Sequence, residues 1–212
     1  TQGVAMVHNL ICGALTCVGE GTGWRYTPYH MPHRTEVMGF MTILHGDDRF
    51  YNNIFVQKWP SEDFITMHDS DDGFDSENRK VGTWMFDEYP TYDEWISQFD
   101  FTKPADMKKL EPVHFDHLPV WSEGNVYLNG AKAWKHEKDG LVSSESVKVE
   151  LTEKDGKYIL DTNIYEILGD FSGRMINTEV LGKAFEPEEF FENPDGTPIT
   201  FDSDYFGGHR GD

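Results

Sequence analysis

The chain has 212 residues, enough for one domain with a tail, and only 38% of them are apolar, with a mean hydropathy of −0.58. Acidic residues outnumber basic ones 38 to 18, and the resulting charge of −20 repels nucleic-acid phosphates and anionic membranes, so neither is an expected partner. Aromatics supply 14% of the chain, including six Trp and nine Tyr, a balance that suits loop-rich solenoids and sugar-binding proteins.

The chain opens Thr1-Gln2-Gly3-Val4-Ala5-Met6-Val7, which reads as the interior of a repeat rather than a start. It shows no signal peptide and no apolar run near the ~20 residues of a membrane span. The expectation is a fragment or processed product that works with the N-terminal remainder of a parent chain. Cys12 and Cys17 match no zinc template, because no second Cys or Cys-His pair follows. They read as two buried thiols in preference to a small-loop disulfide, since Cys12 continues an apolar strand pattern.

Three segments look alike: His8-Asn9-Leu10-Ile11-Cys12, Asn52-Asn53-Ile54-Phe55-Val56 and Gly124-Asn125-Val126-Tyr127-Leu128. In each, an Asn precedes three strand-forming residues, and the Asn positions lie 44 and 72 residues apart. A parallel β-helix explains the pattern. Asn at a turn tolerates left-handed backbone and hydrogen-bonds along a stack, while the residues after it build a rung. The irregular spacing is that of a solenoid with insertions on one face. The rungs are expected to be parallel, with Leu10, Ile54 and Val126 pointing inward.

Between the first two rungs, residues 19–36 form a loop dense in Gly, Pro, His and Tyr. A strand-like stretch, Val37 to Leu44, leads into the tight turn His45-Gly46-Asp47-Asp48. Residues 60–119 read as a long insertion. It carries the acidic loop Asp69 to Asp75 and a short helix from Thr91 to Phe99, with Thr91 and Glu94 spaced as a capping box. Pro112 and Pro119 mark the return. Coils are thus expected over 1–132. Over 133–212 the pattern predicts an antiparallel hairpin, Val147 to Leu151 and Tyr158 to Ile164 around Asp155-Gly156, followed by an extended tail from Glu186.

Several segments resemble the right-handed parallel β-helix proteins around glycoside hydrolase family 141. They are Thr27-Pro28-Tyr29-His30-Met31-Pro32-His33, Gly46-Asp47-Asp48-Arg49-Phe50-Tyr51-Asn52-Asn53-Ile54-Phe55 and Glu123-Gly124-Asn125-Val126-Tyr127-Leu128-Asn129-Gly130-Ala131-Lys132. The tail segments Glu192-Asn193-Pro194-Asp195-Gly196-Thr197-Pro198 and Asp204-Tyr205-Phe206-Gly207 resemble the C-terminal end of those proteins. The resemblance implies an all-β chain: the last coils of a parallel β-helix, then a small antiparallel subdomain. It also implies glycosidase chemistry on a polysaccharide or oligosaccharide and a secreted, periplasmic or cell-surface setting.

Glycoside hydrolysis needs two carboxyl groups. The candidates are Asp48 and Asp47; adjacent residues of a strand face opposite sides, so one of them faces a site, and Asp48 is preferred. His33 is the third catalytic candidate, placed for proton transfer. Trp24, Tyr29, His30, Arg34 and His45 are candidate sugar contacts, the aromatic rings because sugars present C–H faces to them; Tyr26 belongs to the same aromatic cluster. Glu36 adds a further charge. The loop from Trp24 to Glu36 is expected to fold over the Gly46-Asp47-Asp48 turn and make one polar cleft. No metal is expected, since His30 and His33 in a Pro-containing loop make a weak zinc signal. No cofactor is expected either: calcium at Asp69 to Asp75 is the one candidate, and that loop misses the EF-hand template. No nucleophile elbow, phosphate loop or dinucleotide fingerprint is found. The competing functions are a polysaccharide lyase, for which the acidic turn lacks nearby lysines, and a non-catalytic carbohydrate-binding solenoid.

Overall fold

The computed structural model describes residues 2–15, 26–31, 34–58, 81–110, 113 and 116–210. Cys17, Trp24, His33, the acidic loop Asp69 to Asp75 and Pro112 lie outside the described residues. In chain order the strands are β1 (Ala5–Val7), β2 (Leu10–Ile11), β3 (Tyr26–His30), β4 (Val37–Thr42), β5 (Asp48–Tyr51), β6 (Ile54–Val56), β7 (Val120–Glu123), β8 (Val126–Leu128), β9 (Leu141–Ser143), β10 (Val149–Lys154) and β11 (Lys157–Thr162). Among the described residues four short α-helices accompany them, α1 (Tyr92–Ile96), α2 (Met107–Leu110), α3 (Ile164–Leu168) and α4 (Thr178–Leu181), with a 3-10 helix at Trp84–Phe86.

The repeats stack in parallel. One sheet has the order β1-β5-β7, with Ala5 opposite Arg49 and Asp48 opposite Val120. The other has the order β2-β6-β8-β9, with Leu10 opposite Ile54 and Ile54 opposite Val126. A third face is marked by the parallel bridge Gly82 to Lys132. The chain is therefore a parallel β-helix. Its stack runs past residue 132, because β9 adds a rung on β8, and Gly82 belongs to the stack although it falls within the 60–119 insertion.

A ladder of amides fixes each corner. Asn53 Oδ1 accepts from the Asn9 backbone N–H and from Asn9 Nδ2, both at 3.0 Å. Asn125 Oδ1 accepts in turn from Asn53 N at 2.9 Å and Asn53 Nδ2 at 3.0 Å. Glu137 Oε1 ends the ladder by accepting from Asn125 N at 2.9 Å. Asn53 and Asn125 are fully buried, which is tolerable only because their polar atoms are paired.

The interior is packed by Phe50 and Val120 from one sheet, Phe55 and Tyr127 from the other, and Val81 and Trp134 from the third face. Phe55 and Tyr127 stack with ring centroids 5.2 Å apart. Leu10, Ile54 and Val126 do not point inward. Each ladder Asn turns its side chain into the stack, so the next residue faces out and the one after faces in, and Ile11, Phe55 and Tyr127 take the interior positions. The outward residues find cover instead. Ile54, Val126 and Leu128 pack under Ile164 and Leu168 of α3, and Tyr51 and Trp121 pack under Leu181 of α4 with Ile176 and Phe191. The tail is thus an outer layer over both parallel sheets.

Two antiparallel hairpins complete the architecture. β10 and β11 pair from Val149 opposite Thr162 to Lys154 opposite Lys157, around the Asp155-Gly156 turn. β4 lies in the expected strand-like stretch Val37 to Leu44, whereas its partner β3 lies in what reads as a loop in sequence, with Pro28 opposite Phe40. The expected helix is present as α1. Thr91 accepts from Glu94 N, and Glu94 Oε2 accepts back from Thr91 N at 2.8 Å, a complete capping box.

Candidate functional site

His45, Gly46 and Asp47 all have positive φ, 63°, 85° and 55°. Gly46 is obligatory there, because a Cβ would lie 2.2 Å from the Leu118 carbonyl oxygen. The left-handed run is locked into the stack by Leu118 N donating to His45 O at 3.0 Å and by Asp47 N donating to Pro119 O at 2.7 Å. Three consecutive residues in a sparsely populated region persist only where the surroundings over-determine them, and such runs concentrate at functional sites.

The turn sends its two aspartates to different sides. Asp48 alternates with Phe50, lies opposite Val120 and is buried toward the interior. Asp47 faces outward with Arg49, so the preference for Asp48 over Asp47 as the group facing a cleft is reversed by strand alternation. Asp47 is 1% exposed. Its Oδ1 accepts from Arg49 Nη1 at 2.7 Å and its Oδ2 from the Phe185 backbone N–H at 2.8 Å. Arg49 also donates to the carbonyls of Leu181 and Lys183, and its guanidinium lies 4.3 Å from the Trp121 ring centroid.

A cleft of about 490 Å³ opens over this turn, between the β3–β4 hairpin and residues 184–187. Tyr29, His30, His45 and Asp47 line it together, and so does Glu186. Arg34 is exposed on the hairpin loop and does not line it, and neither does Asp48. His30 Nδ1 lies 3.2 Å from the Glu36 carbonyl oxygen. Burial pushes the Glu186 carboxyl above its ordinary range, the Gln2 side chain opposes that rise, and the Asp47 charge adds to it. Burial also raises Asp47, against the pull of Arg49 and the Phe185 amide. Asp47 is thus paired with a guanidinium, whereas Glu186 is raised by burial and by its anionic neighbour.

Beside it lies a trough of about 850 Å³, sharing Ala184 and Glu186 with the cleft. Its wall is aromatic. Phe185 sits 5.1 Å from Trp95, 5.8 Å from Trp121 and 6.3 Å from Tyr92, centroid to centroid. Sequence reading missed Glu186 and this wall. The aromatic i, i+3 pair Tyr92 and Trp95 on a capped helix was a visible signal, whereas nothing local marks Glu186. Among the described residues no group of three or more His, Cys, Asp and Glu side chains is arranged to hold a metal ion, and no helix is long and apolar enough to cross a membrane.

No family model matches the chain. No curated protein matches it either. Among solved structures it is similar to that of XylC in complex with xylose, with 29% sequence identity and a TM-score of 0.76. XylC shares the parallel β-helix fold. The match covers 98% of this chain and 29% of XylC, so the chain spans less than a third of that protein's length.

Proposed function

We propose that the chain is the sugar-handling part of a carbohydrate-active β-helix protein, and that the cleft over the His45–Asp47 turn receives a sugar residue. The observation that carries this reading is the convergence of Tyr29, His30 and His45 on the Asp47–Glu186 carboxyl pair, in a fold whose solved relative is a complex with xylose. In the finer reading the protein is a glycoside hydrolase, as the resemblance to family 141 implies. Glu186, whose carboxyl burial pushes upward, donates a proton to the leaving glycosidic oxygen, and water adds to the anomeric carbon and returns a proton to Glu186. Asp47 supplies fixed negative charge toward the oxocarbenium-like transition state, and Tyr29 offers its ring to a C–H face of the sugar. A secreted or cell-surface setting goes with such a substrate. The described lining of the cleft holds no lysine or arginine, which removes support from a lyase.

A second reading, a non-catalytic sugar-binding solenoid, is favoured by one observation: both Asp47 oxygens are engaged and the residue is 1% exposed. Calorimetry with xylose and turnover of a chromogenic xyloside by the intact protein separate the two. Tyr29→Ala is expected to abolish xylose binding. Glu186→Gln is expected to keep binding and lose turnover. Binding without any turnover selects the second reading, and no binding by the wild-type chain overturns both.

A further inference from the structure

The cleft does not end at Glu186. It runs into the aromatic trough, and the trough shares Tyr51, Tyr92 and Trp121 with a third cavity of about 220 Å³. The three cavities adjoin through these shared lining residues, along α1 and residues 180–188, and are read as one groove. We propose that this groove binds a chain of several neutral sugar units, with its terminal unit in the cleft and further units stacked along Tyr92 and Trp95. The inference rests on the sugar-binding reading above and specifies its substrate as an oligomer.

Three observations converge on it. The first is the aromatic surface. Tyr92 is 42% exposed although its ring packs against Trp95, Trp121 and Phe185, so part of its surface is offered to the groove. Pyranose C–H faces stack on such rings. The second lies at the far end. Trp134 is 3% exposed and lines the third cavity, and among the described residues its indole Nε1–H meets no acceptor. A buried donor beside a cavity is costly unless something accepts from it, and a small rotation of the indole would bring it to a sugar hydroxyl. The third is charge. Glu186, Glu188, Asp93 and Glu123 line the groove and outnumber Lys183 and Lys138, while Arg49 is committed to Asp47 and two carbonyls. An acidic groove repels a uronate chain and accepts a neutral one.

The test is calorimetry of the full chain with xylose, xylobiose, xylotetraose and tetragalacturonate. Affinity is expected to rise with length, xylotetraose binding at least tenfold more tightly than xylose. Tyr92→Ala and Trp95→Ala should each weaken xylotetraose roughly fivefold, the worth of one aromatic contact, and leave xylose binding unchanged. Tyr92→Phe should retain the affinity. Trp134→Phe, which removes the donor, should weaken xylotetraose and leave xylose binding unchanged, with a lower melting temperature from the lost ring volume. Equal affinity for xylose and xylotetraose overturns the extended groove and leaves the sugar cleft standing. Tetragalacturonate binding as tightly as xylotetraose overturns the neutral chain. Absence of any saccharide binding overturns the groove and the cleft together.

Discussion

The Asp47 carboxylate meets the Arg49 guanidinium at 2.7 Å with both side chains almost wholly buried, and Arg49 holds the carbonyls of Leu181 and Lys183 on its other nitrogens. The pair is the clasp between the β-helix and its C-terminal cover. Removing one member of a buried pair strands the other, at a cost of about 3–5 kcal/mol. Arg49→Met is therefore expected to lower stability by about that amount in urea unfolding, and Asp47→Asn by less, since an amide oxygen can still accept from Phe185 N. The double variant should recover part of the loss. Hydrogen exchange should quicken first across residues 181–187 in Arg49→Met. A uniform change over the whole chain would sink the clasp.

Glu137 closes the amide ladder and is the second structural test. Its carboxylate accepts from Asn125 N, from Tyr127 Oη at 2.8 Å and from the Ser122 hydroxyl. Glu137→Ala leaves those buried donors without an acceptor, each worth about 1 kcal/mol or more. Urea unfolding should show a loss of about 3 kcal/mol. Replacement of the exposed Glu153 should change almost nothing. Equal effects from the two would mean that the ladder needs no cap.

The rungs were legible because each ladder Asn is followed by strand formers, and Asn9, Asn53 and Asn125 do stack as expected. Which residue of each rung faces in was not legible. A strand covered on both sides loses its alternation, and Ile54 and Phe55 are both apolar because α3 lies over one and the solenoid interior takes the other. The site was half legible for a similar reason. Tyr29, His30, His45 and Asp47 cluster within one coil of the chain, but Phe185, whose amide holds Asp47, is 138 residues away. Glu186 reaches the cleft only by the docking of the tail, and no local pattern encodes a docking.

His8 supplies a test by pH. It turns the corner between β1 and β2 with φ 57°, and its ring lies 6.0 Å from Phe201 of the tail. Burial, together with the charge of Arg210, lowers its pKa from 6.5 to about 4. A base whose folded pKa is depressed binds fewer protons folded than unfolded, so its contribution is complete above 6.5 and is lost as pH falls toward 4. Solvent around this half-buried ring reduces the effect to on the order of 1 kcal/mol. Stability should fall by that amount between those pH values, and His8→Asn, which tolerates the same φ, should flatten the slope. An unaltered slope would show that other groups carry the acid sensitivity.

The carboxyl pair gives the last prediction, on the intact protein. In the proposed hydrolysis Glu186 is a proton donor only while protonated, and burial together with the Asp47 charge pushes its pKa upward. Turnover should therefore hold at low pH and fall as pH rises through that raised value, above the ordinary carboxylate range. Asp47→Asn removes the negative neighbour. The pKa of Glu186 must then drop, and the descending limb of the profile should move to lower pH. The same variant loosens the clasp, so the profile is measured well below its melting temperature, where the chain remains folded. Arg49→Lys serves as the control, because it loosens the clasp as well but keeps a positive charge beside Asp47, so its limb should stay in place. A displacement confined to Asp47→Asn follows from the lost charge, whereas a purely structural disturbance would move both limbs the same way. A limb that stays put in both variants would take the proton-donor role away from Glu186.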